Sequence, residues 1–320
     1  MTAAPPAKPA PWAFAAPWGA RGYVSDLDGP VHWIEFGSDD APGRPGTPIV
    51  FVHGLGGSHL HWCLIGPELA AGRRAVTLDL HGFGLTPGTR ATSTVQHNTR
   101  LLDRFVREVT GTPVILAGNS MGGLISIMQA AAAPDTVRGL VLIDPALPPP
   151  ARVPDRQVGS QFLMYALPGI GEFYLRSVLS RQPPQLAVQR VIELCFADPS
   201  RIDRAMFTAS IALATERRNQ GLRARDEAFL AASRSLMRVV GLRRRYYEMM
   251  ASVRVPVLLV GGEADRLVPV AAIRQAAARN PAWETVILPG VGHTPQLEVP
   301  DAVAGALQGW LGRHFAPAAA

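Results

Sequence analysis

In a chain of 320 residues, a serine, a histidine and two aspartates stand where short apolar runs end, and their types and order suit nucleophilic catalysis. Gly118-Asn119-Ser120-Met121-Gly122 follows the apolar run Pro113 to Ala117 and precedes a helical pattern over Leu124 to Ala133. A serine flanked by glycines between strand and helix can occupy a sharp, strained turn that lifts its hydroxyl clear of the sheet. That hydroxyl needs a base to take its proton as it attacks. His293 closes Pro289-Gly290-Val291-Gly292-His293 after the last apolar run, which places it on the same sheet edge as Ser120. His53 and His81 lie in loops ahead of the serine, and His32, His59, His61, His97 and His314 read as surface or packing residues. The base in turn needs a carboxylate to fix its tautomer and stabilise the imidazolium. Asp265 and Asp144 both end apolar runs and both keep the order nucleophile, acid, histidine; strand placement favours Asp265. Asp144 and Asp79 then read as loop-bracing or helix-capping residues.

Acyl transfer also requires donors aimed at the developing oxyanion. The Met121 N–H, just after the serine, supplies one, and the loop His53-Gly54-Leu55-Gly56-Gly57 supplies the other through Leu55. Its glycines let the backbone approach a substrate closely. The loop is not a phosphate cradle, because it matches neither G-x-G-x-x-G nor the G-K-[ST] ending.

The elements that must hold these residues follow from periodicity. Tyr23 to Leu27 and Val31 to Phe36 read as a hairpin around Asp28-Gly29-Pro30. Pro48 to Val52, Arg74 to Leu78, Pro113 to Ala117, Val137 to Ile143, Pro256 to Val260 and Trp283 to Leu288 read as strands, the apolar runs among them as strands buried on both faces. Helices are expected over Trp62 to Ala71, Thr94 to Val109, Leu124 to Ala133, Ile273 to Ala278 and Ala302 to Phe315. This alternation predicts an α/β fold with a mostly parallel central sheet wrapped by helices. It stops between Ala146 and Arg254, where amphipathic helices are read over Phe173 to Leu179, Gln185 to Cys195, Ile202 to Ala214 and Glu227 to Met250. The expected organisation is a flexible segment over 1–21, a core over 22–145 and 255–316, and an inserted helical cap over 146–254. The cap's apolar side chains Phe162, Met164, Phe173, Tyr174, Phe196 and Met206 are candidates to line an acyl pocket.

Composition narrows the partners. The formal charge is +6 with 31 Lys and Arg residues, of which Lys8 is the single lysine. The arginines are spread along the chain, without the basic stripe and interleaved aromatics of a nucleic-acid binder, so no nucleic-acid partner is expected. Cys63 and Cys195 fit no metal or redox spacing, and the proline-broken N-terminal stretch does not read as a secretory signal, so a cytoplasmic location is expected. A basic amphipathic cap could settle on anionic lipid, which makes peripheral membrane contact a further expectation.

From Tyr23 to Phe315 the chain resembles the cap-bearing α/β-hydrolase superfamily, in its serine esterase and lipase-like branch. The resemblance implies an α/β-hydrolase fold, a triad of Ser120, Asp265 and His293, an oxyanion hole at Leu55 and Met121, and no metal or organic cofactor. Haloalkane dehalogenases and epoxide hydrolases of this fold carry an aspartate where this chain has Ser120, which argues against both reactions. The elbow Gly118 to Gly123 is also similar to that of hydrolases that cleave carbon–carbon bonds in ring-fission products. Those enzymes commonly place an aromatic residue after the histidine, where Thr294 stands here, and a cap arginine on the substrate acid, which the sequence does not single out. Ester hydrolysis of a small-to-medium acyl substrate is the leading expectation; carbon–carbon hydrolysis of the meta-cleavage type and a non-catalytic binding role are the alternatives.

Overall fold

The computed structural model describes residues 8–9, 14–37, 46–150, 164–179, 182–219 and 221–315. Among these residues nine strands build one sheet: β1 (Lys8–Pro9), β2 (Ala20–Asp26), β3 (Pro30–Phe36), β4 (Gly46–Val52), β5 (Arg73–Leu78), β6 (Val114–Asn119), β7 (Val137–Ile143), β8 (Val257–Gly262) and β9 (Glu284–Leu288). Their spatial order is β1-β2-β3-β5-β4-β6-β7-β8-β9. The predicted hairpin is β2 against β3, with Tyr23 opposite Trp33 and Asp28 left-handed at φ 64° in the turn. From β5 to β9 every pairing is parallel.

The apolar runs are continuous because both faces of the sheet are covered. Val50 and Val52 of β4, Leu116 of β6, Leu142 of β7 and Leu259 of β8 belong to one core. Their neighbours Ile49, Phe51, Ile115, Val141 and Leu258 belong to the other. This is the period of two that pleating imposes on successive side chains. Each fully buried Leu, Val, Ile or Phe contributes about 1.5–3 kcal/mol relative to exposure.

The helices of ten or more residues are α1 (Val95–Phe105), α2 (Met121–Ala132), α3 (Pro184–Cys195), α4 (Arg204–Asn219), α5 (Leu222–Gly241), α6 (Arg243–Ser252), α7 (Val270–Arg279) and α8 (Pro300–His314). Four of them, α3 to α6, lie between β7 and β8, and among the described residues that stretch contains no strand. Arg234 of α5 pulls the start of this insertion against it, donating to the Tyr165 carbonyl at 3.0 Å and pairing with Glu172 at 2.8 Å. Among the described residues no helix is long and apolar enough to cross a membrane.

Several elements differ from expectation. The helix expected over Trp62 to Ala71 is a 3-10 turn at His59–Trp62 and one helical turn at Gly66–Leu69. Gly66 lies so close to the Phe36 ring that no side chain fits, and Pro67 has no N–H with which to continue a preceding turn. The single helix expected over Glu227 to Met250 is α5 and α6, broken at Leu242, which leaves helical geometry at ψ 57°. The segment expected to be a helix over Phe173 to Leu179 is a short helix, Ile170–Tyr174, that widens into a π-type turn at Leu175–Leu179. The boundary drawn after residue 21 falls inside β2, and Ala15 ahead of it is already fully buried.

Candidate active site

Ser120 sits between β6 and α2 with φ 54° and ψ −117°, a left-handed φ that an L-residue adopts only under strain. Its neighbours explain how the turn is tolerated. A Cβ on Gly118 would strike the Gly122 carbonyl, and one on Gly122 would strike the Val52 and His53 carbonyls at the end of β4. The turn is therefore pressed onto the neighbouring strand, and only glycines leave room for it. Leu124 N–H and Ala146 N–H both donate to the Ser120 carbonyl, at 3.1 and 2.9 Å.

His293 follows β9 and is buried, with 5% of its surface exposed. Its Nδ1 lies 2.7 Å from Asp265 Oδ2. The other Asp265 oxygen accepts from the Leu267 and Val268 N–H groups at 2.7 and 3.0 Å, which fixes the carboxylate in place. With Nδ1 engaged, Nε2 is the ring nitrogen left for proton transfer. Asn119 joins this histidine loop to the serine turn: its side-chain amide donates to the His293 carbonyl at 3.1 Å and to the Ile143 carbonyl at 3.0 Å. In the sequence Asn119 is the variable residue of the G-x-S-x-G pattern. Its type, a buried amide able to donate twice, was the available signal.

The glycine loop after β4 lies directly on the serine turn, since a Cβ on Gly54 would stand 3.1 Å from Ser120 Cβ. Gly57 N–H closes a turn onto the Gly54 carbonyl at 3.1 Å, with Gly56 at φ 75°. That hydrogen bond does not use the Leu55 N–H. Met121 is the first residue of α2, where N–H groups have no acceptor within the helix. His53 braces the loop. Its Nε2 accepts from Leu80 N–H at 3.0 Å, so its ring proton sits on Nδ1 and is donated to the Gly54 carbonyl at 2.8 Å. Burial lowers its pKa to about 4, so the brace is neutral at pH 7. His61, read from sequence as surface or packing, packs under Gly57 and lies close enough to His293 for their charges to interact; burial lowers it to about 3.

Asp79, expected to brace a loop, gathers four donors in a buried cluster. His32 Nδ1 and His59 Nδ1 approach its carboxylate at 2.8 and 2.9 Å, and the His59 and Leu85 N–H groups donate at 2.7 and 2.8 Å. Burial opposes the charge, but the two histidines outweigh it and hold Asp79 well below the usual carboxylate range. His32, His59 and Asp79 are spaced as metal ligands could be. The carboxylate's acceptor positions are already filled by N–H groups, which fits a brace. Burial pushes the Cys195 thiol up to about 12 and the Cys63 thiol up as well, as expected of inert cysteines.

The insertion is latched to the histidine loop by Glu298, whose carboxylate has no exposed surface. It accepts from Gly292 N–H at 2.8 Å on one side and from Ala197 and Asp198 N–H at 3.1 and 3.0 Å on the other, and it pairs with Arg201 at 3.3 Å. His293 N–H itself donates to the Cys195 carbonyl at 2.5 Å. Glu298→Ala orphans these N–H groups and is expected to lower unfolding stability by about 2–3 kcal/mol, measured by urea titration. A loss under about 0.5 kcal/mol, within the range of ordinary surface substitutions, would show that the latch carries no load.

Of the side chains suggested for an acyl pocket, Phe162 lies outside the described residues. Phe173 is 71% exposed, whereas Phe196 and Met206 are buried in the packing beneath α3 and α4. Tyr174 packs near Tyr165. Phe229 of α5 is the aromatic that covers the glycine loop: its ring would be 3.6 Å from a Cβ on Gly56, and Tyr165 packs edge-on against it.

The alpha/beta hydrolase family model matches residues 49–306, from within β4 into the first half of α8. The chain belongs to the alpha/beta hydrolase family. Among curated relatives, it is 27% identical to the dihydrolipoyllysine-residue acetyltransferase component of an acetoin cleaving system from Pseudomonas putida, over 94% of this chain and 75% of that one. It is 26% identical to a 2-hydroxy-6-oxo-6-(2'-aminophenyl)hexa-2,4-dienoic acid hydrolase from Metapseudomonas resinovorans, covering 84% and 85%. It is 28% identical to the pimeloyl-[acyl-carrier protein] methyl ester esterase of Edwardsiella ictaluri, covering 81% and 91%. In structure it is similar to the haloalkane dehalogenase DatA from Agrobacterium tumefaciens C58, with TM-score 0.75 and 21% identity over 92% of this chain and 97% of that one. This last likeness is one of alpha/beta hydrolase fold.

Proposed function

We propose that the chain is a serine hydrolase of carboxylic esters with a small-to-medium acyl group. The observation that carries this reading is the linkage of Asp265, His293 and Asn119 to the strained Ser120 turn, against which the glycine loop after β4 is packed. In this reading Ser120 Oγ attacks the acyl carbonyl while His293 takes its proton, and the Leu55 and Met121 N–H groups stabilise the oxyanion. The ester C–O bond breaks as His293 hands that proton to the departing alcohol. Water, activated by the same histidine, then releases the acid and frees Ser120. Asp265 holds His293 in the tautomer that leaves Nε2 free for proton transfer. The esterase among the relatives supports the substrate class. Residues 146–254 act as a cap, with Phe229 walling the acyl pocket. Across a graded series of p-nitrophenyl esters, kcat/KM is expected to peak at one chain length and fall on either side. A flat response would sink the pocket.

A second reading is favoured by Arg217 of α4. It donates to the Gly82 carbonyl at 2.7 Å and sits over the Phe83 ring. Burial, and next the charge of Arg225, lower its pKa to about 10 against the opposing charges of Asp79 and Asp226. A partly buried cation beside Gly82 and Phe83 suits a substrate that carries its own carboxylate, as the substrate named for the dienoic acid hydrolase does. A dicarboxylate monoester is expected to exceed its neutral analogue in kcat/KM by about 10-fold or more, and Arg217→Gln to erase the difference. Equal rates in the unaltered protein would dismiss this reading.

A further inference from the structure

Asp144 is left without a role in the mechanism above, yet it is joined to Asp265 through Gly262. It follows β7 at φ 40°, a left-handed conformation that aspartate tolerates better than most residues, and it is fully buried. Its N–H donates to the Val260 carbonyl at 2.8 Å. Both its carboxyl oxygens lie near Gly262 N–H, at 3.0 and 3.1 Å. Gly262, which it holds, accepts from the Asp265 N–H through its carbonyl at 3.4 Å, and the two carboxyl groups lie close enough to act on one another. Two buried carboxyl groups that close favour sharing one proton over carrying two adjacent negative charges.

The sharing is unequal. Asp265 already has three donors on its oxygens, His293 Nδ1 and the Leu267 and Val268 N–H groups, all of which favour its anion. Asp144 has one N–H, from Gly262, and no basic side chain among the groups acting on it. Burial first, then the charge of Asp265, hold Asp144 well above the usual carboxylate range. Around His293 the facing titratable groups are Asp265, His61 from the loop after β4, and the Glu298 carboxylate that binds Gly292 N–H.

We propose that Asp144 is a positioning residue: a neutral carboxylic acid that donates its proton in a hydrogen bond to Asp265 and thereby orients the carboxylate that holds His293. No proton leaves Asp144 during turnover; the Asp144–Asp265 bond sets how much of the Asp265 charge is directed at the imidazole. The proposal rests on the assignment of Ser120, His293 and Asp265 made above, so its test includes a readout that does not depend on that assignment.

Infrared difference spectra of wild type against Asp144→Asn at neutral pH test the proton directly. A carboxylic acid C=O band that is present in wild type and lost in Asp144→Asn is the expected result; its absence from wild type overturns the proposal whatever the esterase assays show. Kinetics on one p-nitrophenyl ester then test the role. The amide of Asp144→Asn keeps both a donor for Asp265 and an acceptor for Gly262 N–H, so kcat is expected to stay within about threefold with an unchanged pH profile. Asp144→Ala removes the donor and is expected to lower kcat by about 10–100-fold at similar KM, with the acid limb of kcat/KM moved to higher pH. Should Asp144→Ala not fold, the infrared band and the Asp144→Asn profile still decide. A loss in Asp144→Asn as deep as that in Asp265→Asn would overturn the proposal, since Asp144 would then act as an ionised acid. An unchanged rate and pH profile in a folded Asp144→Ala would overturn it too. Asp265→Asn and Ser120→Ala, run alongside, report on the underlying assignment: if neither loses activity, that assignment fails while the infrared result stands.

Discussion

Ser120→Ala is expected to lower kcat on p-nitrophenyl esters by about 10⁴–10⁶-fold, the loss seen when a nucleophile is removed from a site of this kind. The fold should not change. The Ser120 side chain makes no capping bond to α2, and alanine has the same Cβ at the same strained φ. The loss would therefore be read as chemistry, provided that urea unfolding of the variant matches that of the parent. A phosphonate that labels the parent protein at Ser120 should leave the variant untouched. Esterase activity that survives the substitution would remove Ser120 from the mechanism and with it the proposed acyl-enzyme.

Asp265→Asn is the second large effect, expected to lower kcat by about 10³–10⁴-fold. The asparagine can keep the Leu267 and Val268 N–H contacts through its carbonyl oxygen. Its amide nitrogen then faces His293 Nδ1 and donates to it, so the imidazole proton must move to Nε2, where the base needs a lone pair. Comparison with Ser120→Ala in the same assay checks the assignment. A residual rate close to that of the parent would transfer the orienting role to another carboxylate.

The sheet was legible because its signal is local. A strand covered on both faces needs an uninterrupted apolar run, and β4, β6, β7 and β8 each show one that ends at a glycine, serine or aspartate of the candidate site. The break at Leu242 was not legible: Gly241 lies within an otherwise amphipathic pattern, and the periodicity from α5 resumes in α6. The fragmented turns around Gly66 depend on where the Phe36 ring sits, a contact 30 positions away in the chain that no local pattern encodes.

At the candidate site the residue types pointed to Ser120, His293 and Asp265 by their order and by the runs they end. The geometry that connects them was hidden in residues whose side chains bond to distant backbone. Asn119 reaches a carbonyl 174 positions away, and Glu298 reaches N–H groups about 100 positions away. Hydrogen bonds of that kind leave no periodicity. The suggested pocket residues Phe196, Met206 and Phe173 failed to separate for a related reason: an aromatic or methionine on an amphipathic helix looks the same whether it faces a ligand, the core or solvent.

The Glu298 latch sets a condition on any attempt to graft a foreign insertion onto this scaffold in order to change its substrate range. The segment Cys195–Asp198 is a structural part of the histidine loop, because its carbonyl and N–H groups hold His293 and Glu298. A chimera joined at residues 146 and 254 would import a new sequence at this seam and perturb His293 whatever pocket it brought. One joined so as to retain residues 192–201 would vary the walls of the site while its chemistry stayed put. Under the proposed function, specificity and reactivity would separate as modules only when the cut respects that short turn.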